Sequence, residues 1–430
     1  MNRGKVRKAV LSTIVCNTLV WYDYILFGSL ASTIGELFFP QSDKYSSLLS
    51  SFCVFAVGFC MRPFGASIFG HIGDKYGRRA ALIISIISMS VPIGFMAIVP
   101  TYQSVGILAP VLLVACRLLQ GISLGGEAGN ATFLIEHSKA KNTGLFGSLE
   151  VLSAVLGAVF AMAVKLLSLY ISGDEFNVWG WRIPFVIGFV IGIISIYIRM
   201  RGGESPAYEA HVEREGVTKS PVGYLFRNYK RPLLLAICID CIENCSFHIL
   251  MVFFISFIRD FSDIVTISPQ TGEMVELISV IISGVLTVAF GALSDVVGRK
   301  RVMGFASVGL FIVGIPVLWM LSQGNLTYIV IGYLLFIVPF AATLGPSSAA
   351  MSELFPTNVR YTGFAISRNV SAICGGTAPA MCTWLIHATG YRLAPGAYVM
   401  FWALVAFIAL SLIKDGDVYR DWLVKSSKTK

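Results

Sequence analysis

Twelve apolar runs, each long enough to cross a lipid bilayer as a helix, constrain this chain more than any other feature. A helix needs about 20 mostly apolar residues to traverse the roughly 30 Å hydrocarbon layer, and such runs lie near residues 9–31, 45–72, 80–99, 105–128, 145–171, 183–198, 233–258, 274–296, 302–321, 326–350, 364–387 and 395–413. They are called spans one to twelve below. Composition agrees, because 56% of the residues are hydrophobic and 13% charged, with a mean hydropathy of +0.75. Soluble domains are about 45–50% apolar and about a quarter charged. The reading is an all-α membrane protein that keeps its first apolar run as a helix, since Trp21, Tyr22, Asp23 and Tyr24 interrupt what would have to be the core of a cleaved leader.

The net charge of +9 does not point to nucleic acid, because the basic residues are scattered over the ends of apolar runs. Their distribution reports orientation instead. Alternate connections, including both termini, the turn at Lys75, Arg78 and Arg79, and the stretch from Arg199 to Arg231, hold most of the 33 Lys and Arg. The opposite connections hold only Lys44, Arg182, Arg259 and Arg392. By the positive-inside rule both termini are cytoplasmic. All nine cysteines fall within spans, so no disulfide framework is expected. Cys238, Cys241 and Cys245 share a helical face, and small residues packed at a helix contact account for them better than a metal site does.

The long polar connection divides the chain into a first half (1–200), a linker (201–232) and a second half (233–430), and each half carries a related string after its second span. GHIGDKYGRR begins at Gly70 and GALSDVVGRK at Gly291. Gly70, Asp74, Gly77 and Arg78 recur at one common offset as Gly291, Asp295, Gly298 and Arg299, with Arg79 beside the first set. Both strings fall on the same face, so the halves form a parallel repeat, the arrangement that puts a solute site between two rocking bundles. The glycines allow a tight turn and close helix contact, the acid can accept hydrogen bonds from a facing helix N-terminus, and the arginines anchor at the anionic leaflet. These residues are candidate gating residues. A weaker echo pairs Glu136 and Thr143-Gly144 with Glu353 and Thr362-Gly363.

Ionisable groups inside a bilayer are costly and mark functional sites by default. Asp23 lies near the middle of span one, where burial favours the neutral carboxyl, so it can take a proton on one side and release it on the other, or simply neutralise a basic partner. Arg62 and Arg117 are permanently charged; each either grips a solute carboxylate in a two-pronged contact or neutralises Asp23, Glu127 or Glu150. Span seven carries Asp240, Glu243 and His248, and span eleven carries Arg368 beside Asn369, an acid and base set that a solute can perturb. Lys165 stands close enough to a boundary to snorkel and is left out. No phosphate loop, paired-histidine metal spacing or nucleophile elbow occurs, so neither ATP nor any other cofactor is expected and the enzyme reading is weak.

These motifs resemble the metabolite:proton symporter family of the major facilitator superfamily. NTLVWYDYILFG at Asn17, RPFGASIFGHIGDKYGRR at Arg62, RLLQGISLGGE at Arg117 with its Glu127, WGWRIPF at Trp179, ESPAYE at Glu204 and ELFPTNVRYTG at Glu353 run through nearly the whole chain in that family's order. The resemblance implies a twelve-helix bundle in a bacterial inner membrane, acting as a monomer, that imports small polar solutes with protons. Proline, glycine betaine, 2-oxoglutarate, citrate and shikimate are typical, and the likeness is to proline/betaine transporters in particular. It also implies gating by Asp74 and Asp295, proton coupling through Arg117, and a central site including Asp23. Exporting relatives carry a Gly-Pro pair in the fifth helix that span five lacks. Three departures stand out: Val20 replaces an expected glutamate, Asp240, Glu243 and Arg368 are unexpected charges, and the long coiled-coil extension of some relatives is missing.

Overall fold

The computed structural model describes residues 17–18, 20–40, 44–76, 78–125, 142–201, 221–262, 268–356 and 360–414. Among these residues the helices group into twelve spans, and no strand occurs. Several are longer or more articulated than hydropathy alone predicts. Span one covers 20–29, turns at Leu30 and resumes as Ala31–Phe38. Span two is Lys44–Cys60 followed, after a break at Met61, by Arg62–Tyr76. Then come Arg78–Ile98, Leu108–Leu124, Thr143–Ser172 and Ile183–Arg201. The linker contains its own short helix, Pro221–Asn228.

Span seven runs as Lys230–His248, a π-helical turn Ile249–Phe253, and Phe254–Phe261. In that turn the Phe254 amide bonds to the Ile249 carbonyl, five residues back, so one residue more than usual is fitted into it. The remaining spans are Pro269–Val297, Arg299–Ser322, Leu326–Glu353, Arg360–Thr389 and Ala394–Leu412.

Position in the bundle follows from which faces are apolar. Spans three and six pack together, as do nine and twelve, and their outer faces expose Ile87, Val91, Val190, Ile193, Phe305, Ile312, Leu404 and Ile408. Water would penalise such faces, whereas lipid does not. Span seven is buried along its whole apolar length. Span eleven is too polar to pass as a lipid-facing helix, with Arg368, Asn369 and many small residues, because it is wrapped by spans two, seven, ten and twelve. The two halves meet where span five packs on spans eight and ten, and where span two packs on span eleven.

Glycines set how closely these helices approach. A Cβ at Gly65 would lie 1.8 Å from the Ile122 carbonyl oxygen, and one at Gly121 would lie 2.0 Å from that of Gly58. Spans two and four are therefore in backbone contact, the close packing that small residues permit in membranes. This explains why the strings at Arg62 and Arg117 are glycine-rich, and it fixes both arginines beside the interior.

Candidate functional site

Among the described residues, two buried clusters hold the charges that the sequence places at the centre. In the first, Asp23, Arg117 and Gln120 are all fully buried. Gln120 Nε2 donates to Asp23 Oδ2 at 2.8 Å, Arg117 Nη1 donates to Gln120 Oε1 at 3.0 Å, and the direct Arg117 to Asp23 approach is 3.9 Å. Gln120 is one turn on from Arg117, which puts both on one face of span four. The guanidinium lies over the rings of Tyr24, Phe27 and Phe55, with centroids 4.6, 4.3 and 5.5 Å away, so the ring faces supply part of the attraction that water would otherwise provide. Asp23 Oδ1 and Arg117 Nε and Nη2 have no hydrogen-bond partner among the described residues.

The second cluster centres on Arg368 of span eleven. Its Nη1 reaches Asp240 Oδ1 and Glu243 Oε1, both at 2.7 Å, and its Nη2 reaches Ser348 Oγ at 3.1 Å and Glu150 Oε2 at 3.9 Å. Asp240 accepts further bonds from Ser371 Oγ and from Asn244 Nδ2. Arg62 Nε donates to Asn369 Oδ1 at 3.1 Å, joining spans two and eleven.

A cavity of about 40 Å³ opens beside this cluster, lined by Trp21, Arg62, Glu150, Glu243, Asn244, Phe247, Phe364 and Arg368 with Val151 and Ala154. It has room for a few waters and none for an amino acid, so a solute enters only if these side chains move apart. His248 lies just above, fully buried among Phe55, Phe59, Phe247 and Trp21, with Nδ1 2.8 Å from the Asn244 carbonyl.

Both ends of the seam are closed by contacts between halves. At the end bearing the repeat strings, Asp295 accepts from the Gly144 and Leu145 amides at 2.9 and 3.0 Å, at the start of span five. Arg299 pairs with Asp295 at 2.7 Å and Glu353 at 3.2 Å and donates to Thr143 Oγ1. Gly298 turns the chain there at φ +104°, a conformation that favours glycine. At the opposite end Arg259 pairs with Glu36 at 2.6 Å, Ser32 donates to Asp260, and Tyr45 packs on Phe261 and His387.

The structure thus separates residues that the sequence reading grouped. Arg62, Glu243 and Arg368 line the cavity, Asn369 and Asp240 support them, and Asp23 with Arg117 stands outside its lining. Gly77 and Glu127 lie outside the described residues; the backbones of Gly70 and Asp74 belong to helix Arg62–Tyr76, and those of Arg78 and Arg79 begin the next.

Lys165 requires a correction. It does not snorkel: only 6% exposed, it donates to the Ser29 carbonyl at 2.6 Å and pairs with Glu273 at 2.5 Å. Depth along the helix suggested a boundary, but the side chain leaves span five on the face toward spans one and eight. The charge pattern alone does not mark Gln120, although its spacing from Arg117 is plain in the sequence, and Glu150, expected as a charge that Arg62 or Arg117 neutralises, instead stands 3.9 Å from Arg368.

The sequence pattern of the family described as "Sugar (and other) transporter" matches residues 9–221 and again 211–414. The proline/betaine transporter of Escherichia coli K12 is 32% identical over 425 residues, covering 96% of this chain and 84% of that protein. The glycine betaine/proline/ectoine/pipecolic acid transporter of Dickeya dadantii is 32% identical over 426 residues, with coverage of 96% and 84%. An inner membrane metabolite transport protein of Escherichia coli K12 is 32% identical over 418 residues, covering 95% and 94%. Among solved structures, the D-xylose-proton symporter superposes with a TM-score of 0.71 at 17% identity, over 94% of this chain and 96% of that one, a likeness of fold. The chain is therefore a multi-pass membrane protein with the fold of a transporter rather than an enzyme, and it belongs to the sugar (and other) transporter family of the major facilitator superfamily, with proline/betaine transporters among its relatives.

Proposed function

We propose that this protein is a proton-coupled symporter that imports a small zwitterionic solute, proline or glycine betaine, across a bacterial inner membrane with both termini in the cytoplasm. The chemistry of the cavity carries this reading. Arg62 and Arg368 can take a carboxylate, Glu150 and Glu243 can face an ammonium or quaternary nitrogen, and Trp21, Phe247 and Phe364 offer ring faces that attract such a cation. The lining charges balance two against two, which suits a zwitterion. An organic di- or tricarboxylate would need a surplus of positive charge, and Asp240 pulls the balance the other way. The names of the curated relatives lend the same solutes further support.

The proton role belongs to Asp23. An acid with an unpartnered oxygen, held through Gln120 and 3.9 Å from an arginine, can gain and lose a proton without dismantling the solute site. The driving force is sufficient: one proton moving down about 100 mV supplies about 2.3 kcal/mol and one pH unit about 1.4 kcal/mol, together enough for roughly 500-fold accumulation of a neutral solute. Rocking of residues 1–200 against 233–430 would expose the cavity alternately, with Asp74 and Asp295 as gating residues and 201–232 as the cytoplasmic linker. Uptake of labelled proline, glycine betaine, 2-oxoglutarate, citrate and shikimate into proteoliposomes, with and without an imposed proton gradient, tests the reading. Gradient-driven uptake of the first two supports it, and uptake of an organic acid alone overturns the assignment of solute.

A further inference from the structure

A third group of buried charges lies away from the cavity and from Asp23. Glu273 and Glu276 stand three residues apart on one face of span eight. Glu273 pairs through Oε1 with Lys165 of span five, which is itself tied to the Ser29 carbonyl of span one. Glu276 is fully buried, and neither of its carboxyl oxygens has a hydrogen-bond partner among the described residues. Tyr333 of span ten, also fully buried and with its hydroxyl unpartnered, stands within electrostatic reach of both glutamates. The groups facing Glu276 are thus Glu273 on its own helix, Lys165 across the seam and Tyr333.

Charge counting decides the state of the group. Lys165 and Glu273 already cancel. An ionised Glu276 would be a surplus anion buried in a helix interface with no donor at either oxygen among the described residues, the arrangement proteins avoid most strongly. We propose that Glu276 carries a proton as a neutral carboxylic acid, so that Glu273, Glu276, Lys165 and Tyr333 form a second buried proton site at the end of the bundle opposite the repeat strings. Lys165 is held to span one of its own half through Ser29 and reaches across the seam to Glu273 of span eight, so parting of the halves at this end breaks the Lys165–Glu273 pair and admits water. The Glu276 O–H bond then breaks and its proton passes to that water; on closure the carboxylate takes a proton back. The site goes beyond the symport proposed above, and its test does not read transport, so the two stand or fall separately.

Infrared spectroscopy of the purified full-length protein at neutral pH, in ordinary and heavy water, tests the site. The expected result is a deuterium-sensitive carboxylic-acid band in the wild type that falls by one carboxyl in Glu276→Gln and in Glu276→Leu, and likewise in Glu273→Gln, where Glu276 must ionise to balance Lys165; the loss caused by the Glu276 variants recurs in an Asp23→Asn background. Absence of any such band in the wild type overturns the proposal whatever the variants do. So does a band undiminished in the Glu276 variants, or one lost on adding sodium chloride but not choline chloride, which would make the site one for a metal cation.

Discussion

The interior clusters of the two halves treat their arginines in opposite ways. Arg117 meets one amide, one acid at 3.9 Å and three aromatic rings, and two of its nitrogens make no hydrogen bond. Arg368 is gripped by two acids at 2.7 Å, with a third at 3.9 Å and a serine beside them. A lightly partnered acid beside a permanently charged arginine can gain and lose a proton at modest cost. A cation held by several carboxylates is instead a fixed point whose partners rearrange when an anion competes for it. The first arrangement suits a proton switch and the second a solute-binding site, although the halves share one ancestral pattern.

Asp23→Asn should have the largest effect on this contrast. It should reduce accumulation in proteoliposomes from roughly several hundred-fold to simple equilibration, the whole of the proton-derived driving force, while leaving the protein inserted and folded. Undiminished uphill uptake under a pH gradient would dissolve the distinction between the clusters. Arg368→Gln comes next, because it leaves Asp240 and Glu243 buried without their cation, a loss of about 2–5 kcal/mol for such pairs. Calorimetric titration with proline and glycine betaine should show affinity weaker by at least about 30-fold, and restoration of wild-type affinity by nothing more than high salt would argue that the pair is exposed rather than buried.

Asp295→Asn should act on neither cluster. Helix-terminus interactions of this kind are worth about 1–2 kcal/mol when partly buried, so turnover should change several-fold with little shift in solute affinity, as read from initial rates over a concentration series. Glu36→Gln should matter least, since its bond to Arg259 is on the exposed rim, and such pairs contribute under about 1 kcal/mol and fade with salt. A larger effect than that of Asp295→Asn would show that the opposite end, not the repeat-bearing end, holds the seam shut.

Much of this was legible in one dimension. The twelve spans, the repeat and the isolated charges are signals of hydropathy and spacing, and each survives without knowledge of helix rotation. The string GALSDVVGRK even announced its own geometry: Asp295 meets the amides of Gly144 and Leu145, and Gly298 takes the positive φ its turn requires. What a sequence withholds is azimuth. Asp23 and Trp21 are two residues apart, yet one contacts Gln120 and the other lines the cavity. Lys165 looked like a boundary residue by depth and proved to be a seam residue by direction. Glu276, an acid near the start of a long span, reads in the sequence as a flank until its neighbours are known.

The wide turn at Ile249–Phe253 carries a last consequence. A helix of constant pitch presents one stripe to its surroundings, but an inserted residue rotates everything beyond it. Before the insertion Asp240 and Glu243 meet Arg368; after it Phe254 packs on Phe336 of span ten and Phe257 stacks on Phe261. The π-turn is thus where the carboxylate-bearing segment Lys230–His248 and the aromatic segment Phe254–Phe261 part in direction, a joint of the kind that bends a helix.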